Sequence, residues 1–258
     1  MAGVHPEDTI VTRQPNHRRR CHAAVTTYIA THLARAHRYG PGPSSSWFRT
    51  GAPSEELNGV LRLNRADATE AERLRQLFGD VPACWHVWRD IDPPEIPRLL
   101  RHQGLEPFEI EPLMEFGGPG RAVDAERGHP GRIEEVADDT GLAEWAAVWS
   151  GAQNFAALVP GLREGMDRAS TRYLLWREDG EALGCAAVVI CSAGASLEHI
   201  VTRADHRGRG IGTALTRHAL RLALAAGARR VVLTASADGE GIYRRLGFDT
   251  VGYVERYA

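Results

Sequence analysis

The sequence predicts a mixed α/β (α+β) fold in which a mostly antiparallel central sheet is flanked by helices, arranged as two tandem halves. Three features predict it. The second half contains an antiparallel meander of short β-rich runs, helical and strand patterns alternate after that meander, and the first half echoes the same order. At 258 residues, 43% of them hydrophobic, the chain suits one large domain or two small ones with a real core.

The first half opens on a helical stripe, Val25, Tyr28, Ile29, Leu33 and Ala36, spaced to share one face. The arginine-rich stretch 13–20 before it, with His17 and His22 nearby, reads as a mobile terminus leading into that helix. Two strands are expected at 46–49 and 60–64. Asp67 and Glu70 form a capping box for a helix carrying Ala71, Leu74 and Phe78, which Gly79 ends. A strand at 83–87, a helix at 95–102 and a strand at 108–116 complete the half. Gly104-Leu105 then falls where Gly247-Phe248 falls in the second half, which suggests a duplicated unit.

Glycine and proline crowd the stretch between Phe116 and Ile133, with Gly117, Gly118, Pro119, Gly120, Gly128, Pro130 and Gly131 and few apolar neighbours. This predicts a linker at 117–132 between a domain at 1–116 and a domain at 133–258.

In the second half, Leu142, Trp145, Ala146 and Trp149 recur at helical spacing. Strands at 172–176 and 183–190 flank Asp179-Gly180, a dipeptide that tolerates the positive φ of a tight hairpin. A third strand follows at 197–202. The glycine-rich segment 208–212 opens a helix with Ile211, Leu215 and Leu222 on one stripe, closed by Gly227. A short β-branched run at 231–235, a short helix at 241–246 and a strand at 248–257 end the pattern.

The formal charge of −2 provides no general attraction to nucleic acid or an anionic membrane, so neither partner is expected. Cys21, Cys84, Cys185 and Cys191 have no metal-ligand spacing and read as buried free thiols, so no metal is expected. The apolar run after Arg18, Arg19 and Arg20 is broken by Thr26, Thr27, Thr31 and His32, unlike a secretory signal. With no run long enough to span a bilayer, the expected location is the cytoplasm.

The chemistry concentrates at Arg207, Gly208, Arg209, Gly210, Ile211 and Gly212, between a strand and a helix start. Unpaired backbone N–H groups and the helix dipole favour a phosphate there, glycines let the backbone come close, and the two arginines add positive charge. The plain alternative is a glycine turn with two solvated arginines. A dinucleotide fingerprint fails at Thr213, and a Walker loop needs a lysine, which this sequence lacks.

This segment resembles the acyl-CoA motif Q/R-x-x-G-x-G/A of the GNAT N-acetyltransferase superfamily. The run Ile242-Tyr243-Arg244-Arg245-Leu246-Gly247-Phe248 resembles the family's second signature. The resemblance covers about 133–258, and the first half looks like the degenerate copy found in tandem members, without its own motif. It implies acetyl-CoA as co-substrate, with the backbone of Ile200, Val201 and Thr202 pairing with the pantetheine arm. Residues Gly208 to Thr213 would cradle the pyrophosphate, and an N–H near Val201 would meet the developing oxyanion. Tyr243 stands where many members place the acid for the departing thiolate, and Glu198 where some carry a catalytic glutamate. Their plain readings are a packed phenol and an ion-paired carboxylate. Because neighbouring strand residues face opposite ways, one of Glu198 and His199 is expected to reach the acceptor. Ser236 replaces an asparagine that the family often uses to bind the coenzyme.

Trp145 and Trp149 read as core before they read as an aromatic wall, as do Trp85 and Trp88, whereas Trp47 and Phe48 could border a cleft between halves. The expected function is acetyl-CoA-dependent N-acetylation of a small amine such as an amino acid, aminosugar or antibiotic. The alternatives are a protein N-terminal acetyltransferase and a non-catalytic acyl-CoA-binding module.

Overall fold

Strand order, more than strand content, determines how this chain is put together. The structure is a computed structural model and describes residues 15–118, 131–151 and 155–258. The first half runs α1 (Pro15–Ala34), β1 (Arg38–Pro41), β2 (Ser45–Arg49), β3 (Asn58–Leu63), α2 (Ala68–Phe78), β4 (Cys84–Trp88), α3 (Ile96–His102) and β5 (Pro107–Phe116). The second runs β6 (Arg132–Glu135), α4 (Asp139–Ser150), α5 (Val159–Asp167), β7 (Thr171–Glu178), β8 (Glu181–Cys191), β9 (Gly194–Thr202), α6 (Ile211–Ala225), β10 (Val231–Thr234), α7 (Ala237–Arg245) and β11 (Phe248–Tyr257).

Among the described residues these strands form one sheet in the order β1-β2-β3-β4-β11-β5-β10-β9-β8-β7-β6. Two pairs, β3 with β4 and β9 with β10, are parallel, and the remainder are antiparallel. The repeat of strand, helix, parallel strand, helix, strand therefore occurs in both halves. Each half lends its last strand to the other: β11 lies between β4 and β5, while β5 lies between β11 and β10. The mixed α/β class and its mostly antiparallel sheet hold as predicted.

Local sequence accounts for most boundaries. Asp179 and Gly180 take φ of 51° and 84°, closing the β7–β8 hairpin as their residue types require. Gly227 sits at φ 83° just past α6. Asp67 caps α2 by accepting from the N–H groups of Thr69 and Glu70. The reciprocal half of the capping box is not made, because Glu70 instead accepts from Ser45 Oγ and binds Arg73.

Three elements escape the sequence pattern. Strands β1 and β6 are four residues each and largely polar, too short to show alternation. Helix α5 carries Pro160, Gly161 and Gly165, residues that argue against a helix in isolation. Its glycines serve close approach instead. A Cβ on Gly161 would stand 2.8 Å from Ala52 Cβ, and one on Gly165 2.6 Å from Thr171 Oγ1. The arginine stretch also differs from its expected mobility, since helix α1 begins at Pro15 and Arg20 Nε bonds Glu115 at 3.1 Å; residues 13 and 14 lie outside the described residues, as do 119–130 of the linker.

Helix α6 and Tyr243 of α7 cover one face of the second half, packing on Leu197, Val231, Leu233 and Phe248. The other face is covered by α1 over the centre of the sheet and by α4 and α5 beside it. Cys21, Cys84 and Cys185 are buried thiols as expected, while Cys191 is only half-buried. Among the described residues no helix is long and apolar enough to cross a membrane.

Candidate functional site

The start of α6 is built to leave backbone donors free. Gly208 and Gly210 adopt φ of 76° and 86°, a region that penalises any side chain by about 1–2 kcal/mol. Gly210 is the N-cap and offers no side-chain acceptor, and the first bond back to it comes from Ala214 N at 3.0 Å. The N–H groups of Ile211, Gly212 and Thr213 thus point out of a fifteen-residue helix without an intrahelical partner. An anion fits there.

This cradle opens on a cleft of about 630 Å³ whose walls come from β9, the α6 loop and α7. Ile200, Val201, Thr202, Arg207, Gly208, Gly210, Ile211, Gly212, Thr213, Ser236 and Tyr243 all line it. The cleft exists because β9 and β10 pair only at Ala195–Val231 and Ser196–Val232 before they splay. From Leu197 to Thr202 one edge of β9 has no strand beside it, so its backbone can meet an extended ligand.

Two predicted members behave differently. Arg209 Nη2 lies 2.7 Å from both carboxylate oxygens of Glu178 on the β7–β8 hairpin and does not line the cleft, so its charge is already matched. Arg245, which the sequence reading did not single out, lines the cleft in its place. Ser236 lines it too, but its hydroxyl accepts from Gly239 N at 3.3 Å and caps α7.

Tyr243 is buried against Phe248, with ring centroids 6.2 Å apart. Burial first, then the carboxylates of Glu111 and Glu198, push its phenol up to about 12. Those two acids stand on the opposite face of the sheet, so the gap between β9 and β10 brings the cleft into electrostatic reach of what lies behind it.

Behind it is a cluster of buried polar side chains formed at a bulge. His199 has φ 54°, and the β8–β9 register slips so that His199 and Ile200 together face Ala186. The extra residue turns Glu198 and His199 to the same side. The pair therefore does not alternate as residues of a regular strand would: Arg35 Nη2 lies 3.3 Å from His199 Nε2 and its charge also acts on Glu198. Trp145 holds the bulge by donating its indole N–H to Ala186 O at 2.9 Å, a role beyond the core packing expected of it. Trp149 packs on His199, ring centroids 4.5 Å apart, and faces a second cavity of about 770 Å³.

The first half supplies the rest of the cluster: Tyr28 and His32 of α1, Arg35 just after it, Phe48 of β2, Glu56, His86 of β4 and Glu111 of β5. Phe48 lies beneath Arg35 and beside His32, buried within this cluster. Trp47 instead packs on Phe78 on the other face, and Trp85 and Trp88 are core.

Burial sets the charge states here. It lifts Glu198 to about 7, against the lowering pull of Arg35, placing that carboxyl where it can exchange a proton near neutrality. Burial also lowers His32, His86 and His199, His86 to about 3, so the three imidazoles are neutral. Arg256 of β11 reaches Glu56 at 3.0 Å and Glu111 at 2.8 Å. Among the described residues no group of three or more His, Cys, Asp or Glu could hold a metal ion.

Residues 137–248 match the family model described as the Acetyltransferase (GNAT) family. Solved structures share the fold over nearly the whole chain. A GCN5-related N-acetyltransferase from Kribbella flavida aligns with a TM-score of 0.67 at 21% identity, covering 91% of this chain and 94% of that one. A GCN5-related N-acetyltransferase-like protein from Streptococcus suis 89/1591 aligns with a TM-score of 0.62 at 15% identity, over 94% and 98% of the two chains. A tandem GNAT protein from the clavulanic acid biosynthesis pathway aligns at 0.58 and 14% identity, over 91% and 94%. At these identities the likeness is one of fold. No curated protein matches the chain in sequence.

Proposed function

We propose, from the match of residues 137–248 to the Acetyltransferase (GNAT) family model, that the protein transfers an acetyl group from acetyl-CoA to the amine of a small molecule held between the halves. The observation that carries this reading is the cleft at the start of α6. An uncapped helix start leads into it along a splayed strand edge, Tyr243 lines it, and Glu198 lies on that same strand, buried behind it.

Gly208 to Thr213 would hold the pyrophosphate, with Arg207 and Arg245 contributing charge at the cleft wall. The coenzyme supplies an acyl carbon activated by its thioester. Glu198 accepts the proton that the amine gives up as the C–N bond forms. A backbone N–H near Val201 donates to the carbonyl oxygen as charge builds on it. Tyr243 supplies a proton toward the sulfur as the C–S bond breaks. A phenol near 12 stays protonated at neutral pH, ready to donate, although burial also makes it a weak acid. The walls contributed by α1, β2 and β4 favour a small acceptor over a polypeptide chain, which would need an open groove.

The test is release of free thiol from acetyl-CoA across a broad amine panel. Thiol should appear only with an amine, and Tyr243→Phe should lower kcat by about a hundredfold while coenzyme affinity stays near wild type. Tight coenzyme binding with no amine-dependent thiol would leave a binding module and sink the enzyme.

A further inference from the structure

Among the buried charged groups behind the cleft, Arg256 is ion-paired, whereas Arg35 and Glu198 have no charged partner in contact. Arg256 is matched by Glu56 and Glu111. Arg35 is only 3% exposed, yet its Nη1 has no hydrogen-bond partner. Its other contacts are the neutral His199, at 3.3 Å, and the Phe48 ring, at 5.6 Å. Glu198 is 7% exposed, and its Oε1 likewise lacks a partner, with the neutral His32 ring nitrogen 3.9 Å away. The Glu198 carboxyl also has a hydrogen bond with Ser196, but a buried guanidinium nitrogen and a buried carboxyl oxygen that lack partners are costly in a folded protein unless something else completes them. They stand just past the end of α1 and on β9, close enough for the arginine to act on the acid.

We propose that the acceptor carries both an amine and a carboxylate, a free amino acid, with its carboxylate on Arg35 and its amine on Glu198. The inference rests on the acetyl-transfer reading and narrows its substrate class. A guanidinium fork suits a carboxylate in a way that a neutral amide or hydroxyl does not. An amine without a carboxylate would leave Arg35 Nη1 unpaired and keep the desolvation penalty in the complex. A peptide N-terminus has its carboxylate replaced by an amide and fails in the same way.

The experiment compares free amino acids with their carboxamides and with the matching decarboxylated amines, at saturating acetyl-CoA. A favoured amino acid should exceed its two analogues by at least about tenfold in kcat/KM. Arg35→Gln should erase that preference, and Arg35→Lys, which keeps the charge but not the fork, should restore part of it through KM. If amines react equally well with or without a carboxylate, or if Arg35→Gln retains the preference, the inference is wrong while acetyl transfer stands. If no amine reacts, acetyl transfer falls, and the charge match is read from binding alone. A rise in melting temperature with an amino acid in wild type, absent with its carboxamide, supports the inference; equal rises or none overturn it. That comparison needs no variant, so it holds even if Arg35→Gln does not fold.

Discussion

His199 is an unusual residue on which to hang a site. A non-glycine at φ 54° inside a strand carries strain of order 1–2 kcal/mol, which the Trp145 bond to Ala186 O and the Trp149 stack help to hold. What the strain secures is the shared orientation of Glu198 and His199. Glu198 then defines a pH dependence. Its folded value near 7 lies above the ordinary carboxylate range, so the folded state keeps this proton to higher pH than the unfolded chain does. In its proposed role as base, it would be active when ionised. Wild-type kcat should climb with pH and level off above about 7, whereas Glu198→Gln should lose that step and at least about a hundredfold in rate. The stability effect has the opposite sign. Ionising the buried acid is unfavourable between the ordinary carboxylate range and about 7, so Glu198→Gln should gain in melting temperature relative to wild type as pH rises across that window. A flat difference between pH 5 and 8 would show that Glu198 does not titrate in place.

At the scale of elements, the anion cradle was the most legible part. Gly208 and Gly210 announce left-handed backbone, Ile211 and Leu215 announce the helix, and both readings depend only on neighbours in sequence. The same holds for Asp179-Gly180, Gly227 and the whole of β11. Where the reading went astray, distant contacts decided. Arg209 sits in the motif but is claimed by Glu178 across the sheet, and α5 looks like a loop until Ala52 and Thr171 are seen against its glycines. The bulge at His199 has no glycine or proline to mark it. These differences separate two substitutions in the same loop. Gly210→Ala should destabilise the α6 start by about 1–2 kcal/mol and weaken coenzyme binding, whereas Arg209→Ala should leave coenzyme affinity within about twofold. Calorimetric titration with CoA distinguishes them, and a large loss in Arg209→Ala would return that side chain to the anion site.

At the scale of the molecule, the sequence showed two halves but not their interleaving, because no local pattern records which edge a strand will join. The Gly104 and Gly247 positions hinted at repetition. Only the pairing of β11 with β4 and of β5 with β10 makes each half depend on the other. Tyr28, His32, Arg35 and Glu111 follow from this arrangement, since they belong to the first half and meet Glu198 only through the shared sheet. A fragment spanning 131–258 lacks the neighbour of β10 and exposes both edges of β11, so alone it should aggregate or form swapped dimers. Co-expression with 1–118 should return a soluble complex with coenzyme affinity, and size-exclusion chromatography with titration checks both. A monomeric, CoA-binding 131–258 would contradict the arrangement. The exchange also bears on biosynthesis. When β4 leaves the ribosome, its eventual neighbour has yet to be translated, and at common elongation rates the wait is roughly ten to thirty seconds. Throughout that interval the nascent first half presents an unfinished edge, making it a natural client for chaperones that shield such edges until translation catches up.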